Sequence, residues 1–131
     1  LCPTEREARI GIGNHNDSIE YVANALLNQC RAKNLIMKLG AGGFIAYGKD
    51  NDEFVHRQYF PALTPNPVDV AGAGDSVLAT MALGMTRGLS LMESAALACC
   101  VASLAVQTVG NLPIKISRVS ELINSRFMRA K

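Results

Sequence analysis

Apolar residues at Ile19, Val22, Ala23, Leu26 and Leu27 recur at helical spacing and predict a helix to about Cys30 that packs through one face. Ahead of it, Thr4-Glu5-Arg6-Glu7 has the form of a capping box, with Thr4 as N-cap and Glu7 at the third helical position. Pro3 stiffens the entry, so a short helix is expected over Glu5 to Ile12. Gly13 to Ser18 is turn chemistry. The apolar runs then shorten. Asn34 to Leu39 suits a buried strand, Gly40 to Gly43 a turn, and Phe44 to Tyr47 a second strand. Lys49 to Glu53 is a polar turn leading to a third strand around Phe54 to Tyr59.

Pro61, Pro65 and Pro67 exclude helix until Val68 and form a rigid connector. From Gly74 the chain is rich in Ala, Leu, Val and Met through Gly88. It restarts at Ser90, where Glu93 completes a second capping box, and runs to about Val109. Two long, mostly buried helices result. Pro113 interrupts the pattern, and Ser117 to Met128 reads as a final amphipathic helix through Val119, Leu122, Ile123 and Phe127. The chain shows no internal repeat and no low-complexity tract.

With 131 residues, 49% hydrophobic and 18% charged, the chain has the length of one ordinary domain and is expected to fold as a single unit over 1–131. A net charge of +2 is too slight to argue for nucleic acid or a membrane surface. The longest apolar stretch, Ala95 to Val106, contains Ser103 and falls short of the roughly 20 residues a membrane-spanning helix needs. Cys2, Cys30, Cys99 and Cys100 form neither a metal knuckle nor a secreted disulfide framework, so reduced thiols in a cytoplasmic protein are expected. The start at Leu1, without Met or a cleavable leader, is expected to reflect an absent beginning of the gene product.

Chemistry concentrates in Asp69-Val70-Ala71-Gly72-Ala73-Gly74-Asp75-Ser76. Small residues let the backbone approach a ligand closely, and the helix that starts here turns unpaired N–H groups and its positive dipole end outward. Such a mouth cradles anions. A carboxylate beside a bound phosphoryl group makes sense when it accepts the proton of a hydroxyl attacking that group. The plainer alternative is a glycine-rich turn whose Asp caps a helix, and spacing alone leaves both readings open.

The segment resembles the Asp-x-x-Gly-Ala-Gly-Asp signature of the ribokinase or PfkB family of carbohydrate kinases, matched at Asp69, Gly72, Ala73, Gly74 and Asp75. Weaker likenesses surround it in the family's order. Cys2-Pro3-Thr4-Glu5 is similar to the family's Asn-x-x-Glu segment near the nucleotide phosphates, which implies that Glu5 helps hold hydrated Mg²⁺; Cys2 stands where Asn is usual. Lys38-Leu39-Gly40-Ala41-Gly42-Gly43 is similar to the nucleotide-binding turn, implying Gly40 and Gly43 beside the nucleotide, with an ordinary glycine hairpin as the alternative. Leu97 to Gly110 is similar to the helix that passes the adenine, implying a base contact at Cys99 and ligand roles for Gly110 and Asn111. There the Asp69 loop and the following carbonyls would hold a monovalent cation such as K⁺, the alternative being an Asp69 carboxylate satisfied by backbone N–H groups. The runs Asn66 to Ser76 and Val109 to Pro113 look most like bacterial heptose-phosphate kinase-type members.

The resemblance implies a three-layer α/β, ribokinase-like fold with Asn34 to Leu39 as an inner strand and the helices after Asp75 covering a face. It covers only the carboxy-terminal half of such a kinase, so the sugar-binding half and lid are expected to lie outside this chain. The implied activity is ATP-dependent phosphoryl transfer to a sugar or sugar phosphate. Asp75 would be the base, and the Ala71 to Asp75 backbone, including Gly72, Ala73 and Gly74, the anion hole. The isolated chain is expected to lack turnover. A nucleotide-binding remnant or interaction module is the alternative, and a purely structural α/β domain a third. Related kinases often pair through the lid, so a homo-oligomer is also an expectation.

His15 and His56 have no partner at metal-ligand spacing and are expected to be solvated. Ser76 lacks a Gly-x-Ser-x-Gly elbow, which sets hydrolase chemistry aside. Arg118, Arg126, Arg129 and Lys131 read as a solvated basic helix face.

Overall fold

A computed structural model describes residues 1–50, 54–110 and 112–127, so Asn51 to Glu53, Asn111 and Met128 to Lys131, with Arg129 among them, lie outside the described residues. The chain forms two compact units, Leu1–Pro61 and Ala62–Lys131, which divide at the first proline of the connector.

The first unit begins with helices α1 (Glu5–Ile12) and α2 (Ile19–Gln29). The capping box forms as the residues dictate: Glu7 N donates to Thr4 Oγ1 at 3.2 Å and Thr4 N to Glu7 Oε2 at 2.6 Å. Gly13 ends α1 in the left-handed region that glycine tolerates, at φ +67°. The Ser18 side chain caps α2 by accepting from Tyr21 N. Strands β1 (Asn34–Lys38), β2 (Phe44–Asp50) and β3 (Phe54–Phe60) form an antiparallel sheet in that order.

Strand alternation sorts the sheet's side chains. Leu35 and Met37 of β1 and Ile45 and Tyr47 of β2 join Ala8, Val22, Ala23 and Leu27 in one buried cluster beneath the two helices. Ile36 and Ala46 are buried on the alternate positions, where Phe44 stacks on Phe60 with ring centroids 5.2 Å apart. On its other margin β1 is bonded by an extended opening segment, Ile36 N to Leu1 O at 2.8 Å and Lys38 N to Pro3 O at 2.9 Å. A parallel bridge joins Thr4 and Lys38. Thus β1, expected as an inner strand, stands at the end of this three-stranded sheet with its outer margin covered by the opening segment. β2 continues past the expected end at Tyr47, because Gly48 and Lys49 pair with His56 and Val55 where a turn was expected.

The second unit holds α3 (Ala73–Thr86), α4 (Leu91–Ala105) and α5 (Ile116–Phe127). Helices α3 and α4 form a hairpin whose crossing is set by Gly84: a Cβ there would stand 2.7 Å from Ser94 Oγ. Gly88, at φ +90°, makes the turn, and Ser90 with Glu93 forms the second capping box. Cys100, Leu104 and Val119 anchor a cluster between α4 and α5, joined by Leu97, Leu122 and Ile123. Helix α4 ends four residues before the expected Val109. The Val106 carbonyl is drawn out of the helical pattern to accept from Val68 N at 2.7 Å and Asp69 N at 3.2 Å. Among the described residues no helix is long and apolar enough to cross a membrane.

Candidate active site

In the second unit, Gly72 is the N-cap of α3, held in the left-handed region at φ +75°. A side chain with a Cβ is strained in that conformation, so the position calls for glycine. Ala73, Gly74 and Asp75 form the first helical turn, where N–H groups have no intrahelical acceptor. Two amides of the expected cradle are occupied, Ala71 N by Asp69 Oδ1 at 2.9 Å and Ala73 N by Val70 O at 3.3 Å. The amides of Gly74 and Asp75 have no acceptor among the described residues. Asp75 is exposed and lines a groove of about 430 Å³ with Gly72, Ser76, Thr80, Val101, Ala105, Gly110 and Ile114. Thr80 turns its hydroxyl inward to Ser76 O at 2.7 Å.

Asp69 behaves as the plainer of its two readings describes. Its Oδ1 accepts from Ala71 N and its Oδ2 from Gly110 N at 3.0 Å, fastening the loop before α3 to the loop after α4. Those N–H groups, Gly110 first, hold its carboxyl below the usual carboxylate range. Both carboxylate oxygens keep lone pairs for a cation. Asn111, expected to share this site, lies outside the described residues. Cys99 is 7% exposed on the packed side of α4, and burial pushes its thiol up to about 11. That packing leaves little of the side chain for a base. No disulfide involves any of the four cysteines.

In the first unit, Glu5 and Gly40 meet on a groove of about 620 Å³ that Thr4, Glu7, Lys38 and Leu39 also line. These two were separate expectations in the sequence, and β1 brings them together by carrying Lys38 alongside Thr4. The Glu5 carboxylate is paired with Arg9 at 2.8 Å, one helical turn on. Gly40 to Gly42 forms a single 3-10 turn, closed by Gly43 N to Gly40 O at 3.1 Å and Leu39 N to Gly43 O at 2.8 Å. Gly40 and Gly43 both have positive φ. Tyr59 donates its hydroxyl to Gly42 O at 2.6 Å and fixes the turn from β3. Sequence reading missed this strap, because only the β2–β3 register brings a residue so distant in the chain against the turn. Among the described residues no group of three or more His, Cys, Asp or Glu side chains is placed to bind a metal directly. His15 and His56 join no such cluster.

A family model described as pfkB family carbohydrate kinase matches residues 1–115. The bifunctional protein HldE of Pelobacter propionicus is 29% identical over 128 residues, covering 95% of this chain and 25% of that protein. The chain thus spans about a quarter of the length of the curated relatives it matches. Among solved structures, ribokinase from Arabidopsis thaliana complexed with ribose and ATP is 28% identical at a TM-score of 0.74, with 92% of this chain and 39% of that one covered. Phosphofructokinase-2 from Escherichia coli in complex with potassium matches at a TM-score of 0.75 and 20% identity, with 94% and 39% covered.

Proposed function

Because the chain belongs to the pfkB family of carbohydrate kinases and has the ribokinase-like α/β fold, we propose that it is the part of an ATP-dependent kinase that carries the phosphoryl-transfer chemistry. The acceptor is a hydroxyl of a sugar or sugar phosphate. One observation carries the reading: an exposed carboxylate, Asp75, stands in the same helical turn as open main-chain amides and beside a groove. The open amides of Gly74 and Asp75 receive the charge that develops on the phosphoryl oxygens. Each such donor is worth roughly 2.7–4 kcal/mol in comparable oxyanion sites. Asp75 accepts the proton of the attacking hydroxyl, so that the nucleophile arrives as its O–H bond breaks.

The groove at Glu5 and Gly40 takes the nucleotide. Glu5 suits a hydrated Mg²⁺, since one carboxylate already held in place by Arg9 can accept hydrogen bonds from the ion's water shell. When bound, that ion neutralises charge on the phosphates. Asp69 and the Gly110 loop that it fastens are the candidate place for a monovalent cation such as K⁺.

Asp75→Asn, made in a kinase that includes the sugar-binding half, is expected to leave ATP binding intact and lower turnover by about 10²–10⁴-fold. A coupled ADP-release assay beside calorimetry reads both quantities, and unchanged turnover removes Asp75 from the role. The small share of its relatives' length favours a second reading for the chain alone, a nucleotide-binding piece without turnover. It binds ATP or ADP in calorimetry and consumes neither when sugars are offered.

A further inference from the structure

The turn between β1 and β2 lines the first unit's groove with Leu39 and Gly40, and a residue outside that groove holds its far side. Tyr59 of β3 donates its hydroxyl to Gly42 O at 2.6 Å. At its other end the same peptide group donates Gly43 N to Gly40 O at 3.1 Å. Together the two bonds fix one orientation of the Gly42–Gly43 peptide plane. Glycine on both sides leaves no Cβ to oppose rotation of that plane, and Gly43 sits at φ +91° and ψ −131°, a conformation that other residues rarely adopt. The turn is therefore soft by its own sequence and is stiffened from the next strand. Register pairs Tyr59 with Ile45, and its ring is exposed, so the hydroxyl bond rather than burial is what the residue contributes.

We infer that Tyr59 is a positioning residue for nucleotide binding, its hydroxyl selecting the peptide orientation in which Gly40 meets the ligand. The inference rests on the reading that this groove takes nucleotide. It goes beyond that reading by naming what keeps the turn in its binding shape. Tyr59 does not line the groove, so it acts through the turn. When the peptide plane rotates, Gly43 N leaves Gly40 O and the Gly40 carbonyl is released. Apparent affinity then falls with the fraction of molecules that hold the competent turn.

Calorimetry of the 131-residue chain with ATP tests it, using wild type, Tyr59→Phe, Gly42→Ala and the double variant, beside amide exchange followed by NMR. Tyr59→Phe is expected to weaken ATP binding by about threefold to tenfold, the range that one hydrogen bond covers, and to speed exchange at Gly43 by a similar factor. Gly42→Ala stiffens the turn by another route, since a Cβ there meets only Leu39 Cβ at 3.4 Å. In that background the loss caused by Tyr59→Phe shrinks, as it does for residues that act on one element. Equal ATP affinity in Tyr59→Phe and wild type overturns the inference while leaving the groove as the nucleotide site. A loss of the same size in both backgrounds, or unchanged exchange at Gly43, also overturns it, because Tyr59 then acts elsewhere than through the turn. Wild type that does not bind ATP overturns the nucleotide reading itself.

Discussion

A single carboxylate decides how the two loops at the mouth of α3 are held. Asp69 accepts from Ala71 and Gly110, and both bonds are strongest with the ionised form. Because its folded pKa lies below the ordinary value, the stability these bonds contribute is fully present above the usual carboxylate value, about pH 3.9, and is lost as pH falls through the depressed value. Asp69→Ala is expected at neutral pH to speed amide exchange at Ala71 and Gly110 with little change at Val77, in the buried part of the helix. Wild type is expected to show the same pattern only in acid. Exchange followed by NMR checks both, and unaltered protection at Gly110 in the variant contradicts the arrangement. At this scale the sequence was informative about residue type and silent about partners. Asp69 and Asp75 were legible from a compact motif. The Gly110 amide that Asp69 captures is far along the chain, and nothing local announces the pairing.

Elements were legible where local chemistry sets them. Helix α1 spans Glu5–Ile12 as expected because Thr4, Glu7 and Gly13 specify both its ends. Helix α4 was drawn too long because its end is set by Val68 and Asp69, which claim the Val106 carbonyl from outside the helix. Strand β2 outran its expected end because pairing with β3 extends it. Gly84 is a second case of tertiary control. In sequence it is a helix-weakening glycine, whereas in the fold it is the gap that admits Ser94, whose side chain is wholly buried. Gly84→Ala gains up to about 1 kcal/mol of helix propensity but meets overpacking of about 1–3 kcal/mol, and the clash wins because Ser94 has nowhere to move. A fall in melting temperature of about 5 °C or more is expected for the second unit. Ser94→Gly in the same background restores part of it. A variant that melts at or above the wild-type temperature disproves the close crossing.

The whole molecule joins two units of different construction, an α/β unit with a covered sheet and a unit that is helical among the described residues and carries the Asp69 to Asp75 motif. The prolines were read as a rigid connector within one expected unit, and Pro61 is the residue at which the first of the two compact units closes. Helix α3 leaves Leu78, Leu83 and Met85 exposed, Leu83 to 65%. Apolar surface of that kind promotes association, so sedimentation velocity is expected to show concentration-dependent self-association that Leu83→Lys reduces. Equal behaviour of the two proteins rules this helix out as the cause. The opening residues have a protective duty of another kind. The carbonyls of Leu1 and Pro3 occupy outer amides of β1, so displacing this segment would bare donors along the sheet's margin. A margin bared in this way recruits strands from other molecules, and the chain with that segment displaced would be the one to seed fibres.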